Sequence, residues 1–258
     1  MDPYRWSWDA DALVVIPGLA AAYAIALTRF PAPRRRIVCL VTGCVLMLAV
    51  QITPLDTLAL HYLLVMHLLQ NVVLAEWGPL LVVAGLTPRM ARELERIPGV
   101  RTLTHPFVAL PVWLGVYYAW HVPALYDAAL RHQWTILHLE HGTYFAAGCL
   151  LWWPVVHGER SSGAKAVYLC GAFVLGSPLG LLLALLPHGV YDFYAGVPRL
   201  WGLSQLSDQQ IAGVTMASEQ AVVFFAAAAL YIRRFFDEES GADRYRVPEV
   251  RRGSPRSP

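Results

Sequence analysis

Several apolar stretches of this chain carry histidines in patterns that could bind a metal. His138 and His141 stand three apart in Leu137-His138-Leu139-Glu140-His141. On a helix they are about 60° apart, so both imidazoles can serve one centre. Glu140, between them, points elsewhere and can hold another group. His67 shares a helix face with Gln70 and Asn71, which are candidate supports for its ring. His121 closes another apolar stretch. His61 lies about 120° round the helix from His67 and is not expected to share its centre. His61, His132 and His188 read as interfacial or interhelical hydrogen-bonding residues. Imidazole suits copper, zinc, iron and nickel, and histidines from two helices can also ligate a haem.

Other chemistries find little support. The zinc-enzyme pattern HExxH, a glycine-rich phosphate loop and a nucleophile elbow are all missing from the sequence. No nucleophile–base pair stands out, so a non-enzymatic role is expected. Cys39, Cys44, Cys149 and Cys170 form no CxxC pair and read as small buried hydrophobes.

The elements that would position these histidines follow from composition. Of 258 residues, 57% are hydrophobic and 15% charged, and the mean hydropathy is +0.46. A water-soluble domain carries about 25% charged residues. The composition therefore indicates a membrane protein, and the net charge of +2 offers nothing to a nucleic acid. A spanning helix needs about 20 mostly apolar residues. Seven stretches qualify, near 12–28, 37–53, 57–85, 107–122, 134–156, 164–186 and 209–232. The third is long, and Gly78 and Pro79 are expected to kink it or end it near Trp77. The expectation is an all-α protein, a single seven-transmembrane-helix bundle over 1–236. An Arg/Pro-rich cytoplasmic tail, expected to be disordered, follows over 237–258.

The N-terminal stretch, from Met1 to Ala10, is acidic and aromatic, so no secretory leader is expected there. Seventeen of the twenty Lys and Arg residues fall in alternate connections and the tail, leaving Arg5, Arg131 and Arg199 on the other side. The positive-inside rule puts the N-terminus outside and the C-terminus in the cytoplasm. Seven of nine histidines then lie in the outer half or the outer loops. Only His105 and His157 fall on the cytoplasmic side. The outer loop 187–207, with Tyr191, Asp192, Tyr194 and Trp201, reads as an interfacial aromatic belt. From the residues alone, the outward pocket could hold a metal ion or a haem.

Particular strings resemble the CtaG family of cytochrome c oxidase (caa-type) assembly factors. They include His67-Leu68-Leu69-Gln70 followed by Pro79-Leu80-Leu81 and Gly85, and Trp120-His121-Val122-Pro123-Ala124-Leu125-Tyr126-Asp127. His138-Leu139-Glu140-His141, Leu151-Trp152-Trp153-Pro154, Trp201-Gly202-Leu203-Ser204, Asp208-Gln209-Gln210-Ile211-Ala212-Gly213 and Met216 follow in the family's order. The resemblance implies a role in making haem–copper oxidase by supplying copper in the bacterial cytoplasmic membrane. Its partners would be oxidase subunits, an extracytoplasmic copper chaperone and lipid. It implies that His67, His121, His138 and His141 hold copper. Met216 would add a thioether that favours Cu(I). Asp208 would cap the last span or orient a neighbouring histidine. The family usually carries a second histidine four residues after His67, where this chain has Asn71. The alternatives are a haem-binding or quinone-reacting membrane oxidoreductase, and a scaffold whose histidines only join helices.

Overall fold

The computed structural model describes residues 1–245, and the helices among them outline a membrane bundle. The order is α1 (Ala10–Arg29), α2 (Arg34–Ile52), α3 (Pro54–His61), α4 (Leu64–Val72), a π turn (Val73–Trp77) and α5 (Gly78–Gly85). Then come α6 (Pro88–Glu95), α7 (Val100–Leu103), α8 (Pro106–Trp120), α9 (Pro123–Arg131), a second π turn (Gln133–Leu137) and α10 (His138–Val156). The chain closes with α11 (Ser162–Leu185), α12 (Asp192–Ala195) and α13 (Gln205–Tyr245). Among the described residues there is no strand.

Five segments are long and apolar enough to cross a membrane: α1, α2, Leu64–Gly85, α11 and α13. A sixth is the pair α8 and α9, bent by 72°. Seven were expected. The remaining one, α10, has a first turn diluted by His138, Glu140 and His141. The third expected span does not run unbroken from residue 57. It breaks at Tyr62 and Leu63, and the helix passes through Trp77 as a π turn instead of ending there. Past Asp237, where a disordered tail was expected, α13 continues as helix to Tyr245. The segment 246–258 lies outside the described residues.

The bilayer interior offers no water to unpaired backbone groups, so each irregularity has to be satisfied from within. At the Tyr62–Leu63 break, the Asp208 carboxylate accepts from the Leu64 and Val65 amides at 2.8 and 3.0 Å. Asp208 therefore caps α4, on a different helix, and not the helix it belongs to. At the π turn, the Trp152 indole donates to the Glu76 carbonyl at 3.0 Å. At the end of α5, Tyr23 donates to the Gly85 carbonyl at 2.9 Å, and Arg36 donates to the Ala84 carbonyl at 3.0 Å and to Leu86. His157 completes this end, 3.0 Å from the Val83 carbonyl.

Close helix crossings use small residues. A Cβ at Gly213 of α13 would lie 2.5 Å from the Ala184 nitrogen and from the Gly180 carbonyl on α11. A side chain at Gly148 of α10 would meet the Ala75 carbonyl in the π turn. Apolar side chains such as Val15, Ile25, Val41, Val174 and Val222 face outward, as lipid contact requires.

Two ends emerge. Arg36, Glu95, His105, His157 and Arg160 gather at one, where Trp153 donates to Glu95 at 2.8 Å and Arg160 lies 3.1 Å from His105. At the other, the N-terminal segment lies across α2 and α3. There the Ser7 amide donates to the Ile52 carbonyl at 3.0 Å, and Thr57 donates to the Arg5 carbonyl at 2.8 Å. Replacing Asp208 by Ala leaves two amides in the α3–α4 break without acceptors. We expect the detergent-purified variant to lose about 2 kcal/mol or more of stability, read as a lowered melting temperature.

Candidate metal centre

His67 lies one turn into α4 and is fully buried. Its Nδ1 is 3.0 Å from the Tyr126 hydroxyl and 3.3 Å from that of Tyr194. Tyr194 spends its single proton on the Ala59 carbonyl, 2.6 Å away, so it can only accept from the ring. This favours a proton on Nδ1 and leaves Nε2 a bare lone pair, 3.9 Å from Glu140 Oε1 and without a hydrogen-bond partner.

His121 is fixed more firmly. It follows the last residue of α8, where carbonyls lack intrahelical donors. Its Nδ1 is 2.7 Å from the Tyr117 carbonyl. A carbonyl only accepts, so Nδ1 holds the proton and Nε2 is a lone pair, buried and unpartnered. Tyr191 donates to the His121 carbonyl at 3.3 Å and stacks on Tyr126 with ring centroids 4.0 Å apart. The Asp127 carboxylate in turn accepts from the Asp192 and Phe193 amides at 3.1 Å each. The loop expected to be an aromatic belt therefore folds inward at Tyr191 and Tyr194, each about 1% exposed, while Trp201 stays at 54%.

His138 and His141 part company. His138 lies at the N-terminus of α1, with Nδ1 3.2 Å from Asp11 and Nε2 3.5 Å from Asp9. Both ring nitrogens of His141 are buried without partners, and its ring stands edge-on to His67 at 6.4 Å. The two histidines do share a cavity of about 180 Å³, which Asp11, Met47 and Gln51 also line.

The supporting residues also divide. Asn71 donates to Glu140 at 2.8 Å, so Glu140 does hold a neighbouring group. Gln70 turns away, donating to the Val50 carbonyl at 3.0 Å and to Asp56 at 2.8 Å. Met216 is buried beside His121, on one small cavity. Among the described residues, no three His, Cys, Asp or Glu side chains stand close enough together to hold an ion as they lie. The structure instead brings His67, His141 and Glu140 together, sets His121 with Met216, and leaves His138 with the aspartates.

Sequence reasoning gave Tyr126 and Tyr194 no part in orienting His67 and passed over Glu76. Glu76 is fully buried and accepts from Gln220 at 2.8 Å. Its signal was available, as the one carboxylate in the apolar run between Asn71 and Gly85. Glu140→Ala removes the acceptor of the buried Asn71 amide. We expect a loss of about 1–3 kcal/mol in thermal unfolding, with Glu140→Gln milder because it keeps an acceptor oxygen.

Neither a curated protein nor a solved structure matches the chain. A sequence model of the cytochrome c oxidase caa3 assembly factor family matches residues 21–238, a stretch that includes every histidine described above. The chain belongs to the cytochrome c oxidase caa3 assembly factor family.

Proposed function

We propose that this assembly factor holds copper, as Cu(I), among its buried histidines and hands it to a haem–copper oxidase, without catalysing a reaction of its own. The observation that carries the reading is the set of imidazole nitrogens with nothing to bond: His67 Nε2, His121 Nε2 and both nitrogens of His141. A buried polar group left unsatisfied costs about 1–3 kcal/mol. Keeping several in one region makes sense when a ligand completes them. At His67 and His121 the other nitrogen meets a tyrosine hydroxyl or a carbonyl, the arrangement that orients metal-binding imidazoles.

In this reading the bundle crosses seven times, counting α8 and α10 as spans. The Arg36–His157 end faces the cytoplasm, and the histidine end faces outward in the bacterial cytoplasmic membrane. A cavity of about 560 Å³ at that outward end is lined by Asp9, Asp56, His61 and His138. His138 lines it and the inner 180 Å³ cavity alike, so with Asp9 and Asp11 it would receive the ion from an extracytoplasmic copper chaperone. His67, His141, His121 and Met216 would hold it deeper. The oxidase subunits are the acceptor.

The test is metal content of the purified protein beside oxidase activity in cells. Wild type is expected to carry copper and to show no haem Soret band. Replacing His67 and His141 together by Ala is expected to lower bound copper at least twofold and to impair oxidase assembly. Unchanged copper with normal oxidase in that double variant, or a Soret band in the wild type, would overturn the proposal.

A further inference from the structure

At the end of the bundle where Arg36 and His157 lie, α6 and α7 are too short to cross a membrane. α6 buries Met90 and Ala91 against the bundle and leaves its arginines outside. Between this segment, the start of α8 and the close of α10 lies a cavity of about 580 Å³, a size that suits a small ligand or a headgroup.

The wall of this cavity is basic. Arg92 and Arg96 of α6, Arg101 of α7 and Arg160 after α10 face it, against Glu95 and Glu159. Glu95 is already taken by the Trp153 indole, which donates to it at 2.8 Å. Arg96 is paired with Glu93 at 2.7 Å. Arg160 lies 3.1 Å from His105 Nε2, and its guanidinium stands 5.7 Å over the Phe107 ring. Among the described residues, the side chains of Arg92 and Arg101 have no partner. Two free guanidiniums therefore line one cavity whose wall carries four arginines and two acids.

The surroundings are apolar. Ile97, Leu103 and Phe107, close to these arginines in the chain, are exposed, Phe107 to 79%. Large apolar side chains beside basic ones suit the boundary between headgroups and acyl chains. The segment 246–258 is a poor occupant, since it carries Arg246, Arg251, Arg252 and Arg256 against Glu249 alone.

We propose that this cavity binds the headgroup of an anionic membrane phospholipid. The phosphate is drawn by the free guanidiniums of Arg92 and Arg101, and the acyl chains lie over Ile97, Leu103 and Phe107. A guanidinium presents a planar fork of donors that matches phosphate oxygens. Basic pockets between spanning helices suit such headgroups. A free phosphate would use the same arginines but gain nothing from the apolar surroundings, and these select the lipid. None of these residues takes part in the copper reading, so the lipid site stands or falls separately from it.

The test uses the full-length protein in detergent, freed of lipid and titrated with diphosphatidylglycerol and with phosphatidylcholine under native mass spectrometry. The anionic lipid is expected to bind at least tenfold more tightly. Arg92→Gln with Arg101→Gln lowers its affinity at least fivefold. Arg34→Gln with Arg35→Gln, exposed arginines at the start of α2 that line no part of the cavity, changes it less than twofold. An excess of inorganic phosphate leaves the lipid bound. A melting curve confirms that each variant is folded, and Arg101→Gln alone, with at least a twofold loss expected, replaces the double variant if that one does not fold. Equal affinity for phosphatidylcholine overturns the proposal. So do equal losses in the two double variants, which would mean diffuse surface charge, and displacement of the lipid by inorganic phosphate, which would mean a site for a soluble anion.

Discussion

The absence of water around an intramembrane backbone is the constraint on which this structure turns. The third apolar stretch is broken at Tyr62–Leu63, widened at Val73–Trp77 and ended at Leu86, and each of these exposes backbone groups that lipid cannot satisfy. Each is answered by a side chain from another helix: Asp208 from α13, Trp152 from α10, and Tyr23, Arg36 and His157 from α1, α2 and the end of α10. The irregular segment is thus what ties the bundle together. An unbroken helix would need none of these partners, and it would not turn Glu76 and Asn71 towards α8, α10 and α13.

The buried side-chain atoms without partners include the imidazole nitrogens of His67, His121 and His141, together with Gln70 Oε1, Trp113 Nε1 and Gln220 Oε1. The same interior that supplies an indole for one carbonyl leaves His141 with neither nitrogen bonded. The buried amide of Gln209, by contrast, is satisfied at both ends. Its oxygen accepts from the Val190 amide, and its nitrogen donates to the Leu183 and His188 carbonyls.

Much of this could be read from the chain itself. Apolar runs placed α1, α2, α8, α10 and α11 to within a few residues, and Arg36, His157 and Arg160 gather at one end. What periodicity does not encode is where a polar side chain finds its partner. Asp208 looked like the cap of its own helix because helix starts favour aspartate, yet its partner amides lie more than 140 positions earlier in the chain. Tyr191 and Tyr194 looked interfacial because aromatic loops usually are. Asp127, on a distant helix, draws that loop inward. His138 and His141 share a helix face by spacing, but Asp9 and Asp11, which His138 meets, stand 129 and 127 positions before it in the chain.

Asn71 shows how a departure from a family pattern can be reconciled with the same chemistry. A histidine at this position would add a second imidazole one turn below His67. An asparagine cannot replace it as a strong ligand, but like a neutral imidazole it carries a donor and an acceptor on one rigid group. Here the donor is committed to Glu140, and the acceptor is left over a cavity edged by Glu76 and His121. The amide therefore stands between the groups around His67, to which Glu140 links it, and the cavity beside His121, towards which its oxygen is unpaired.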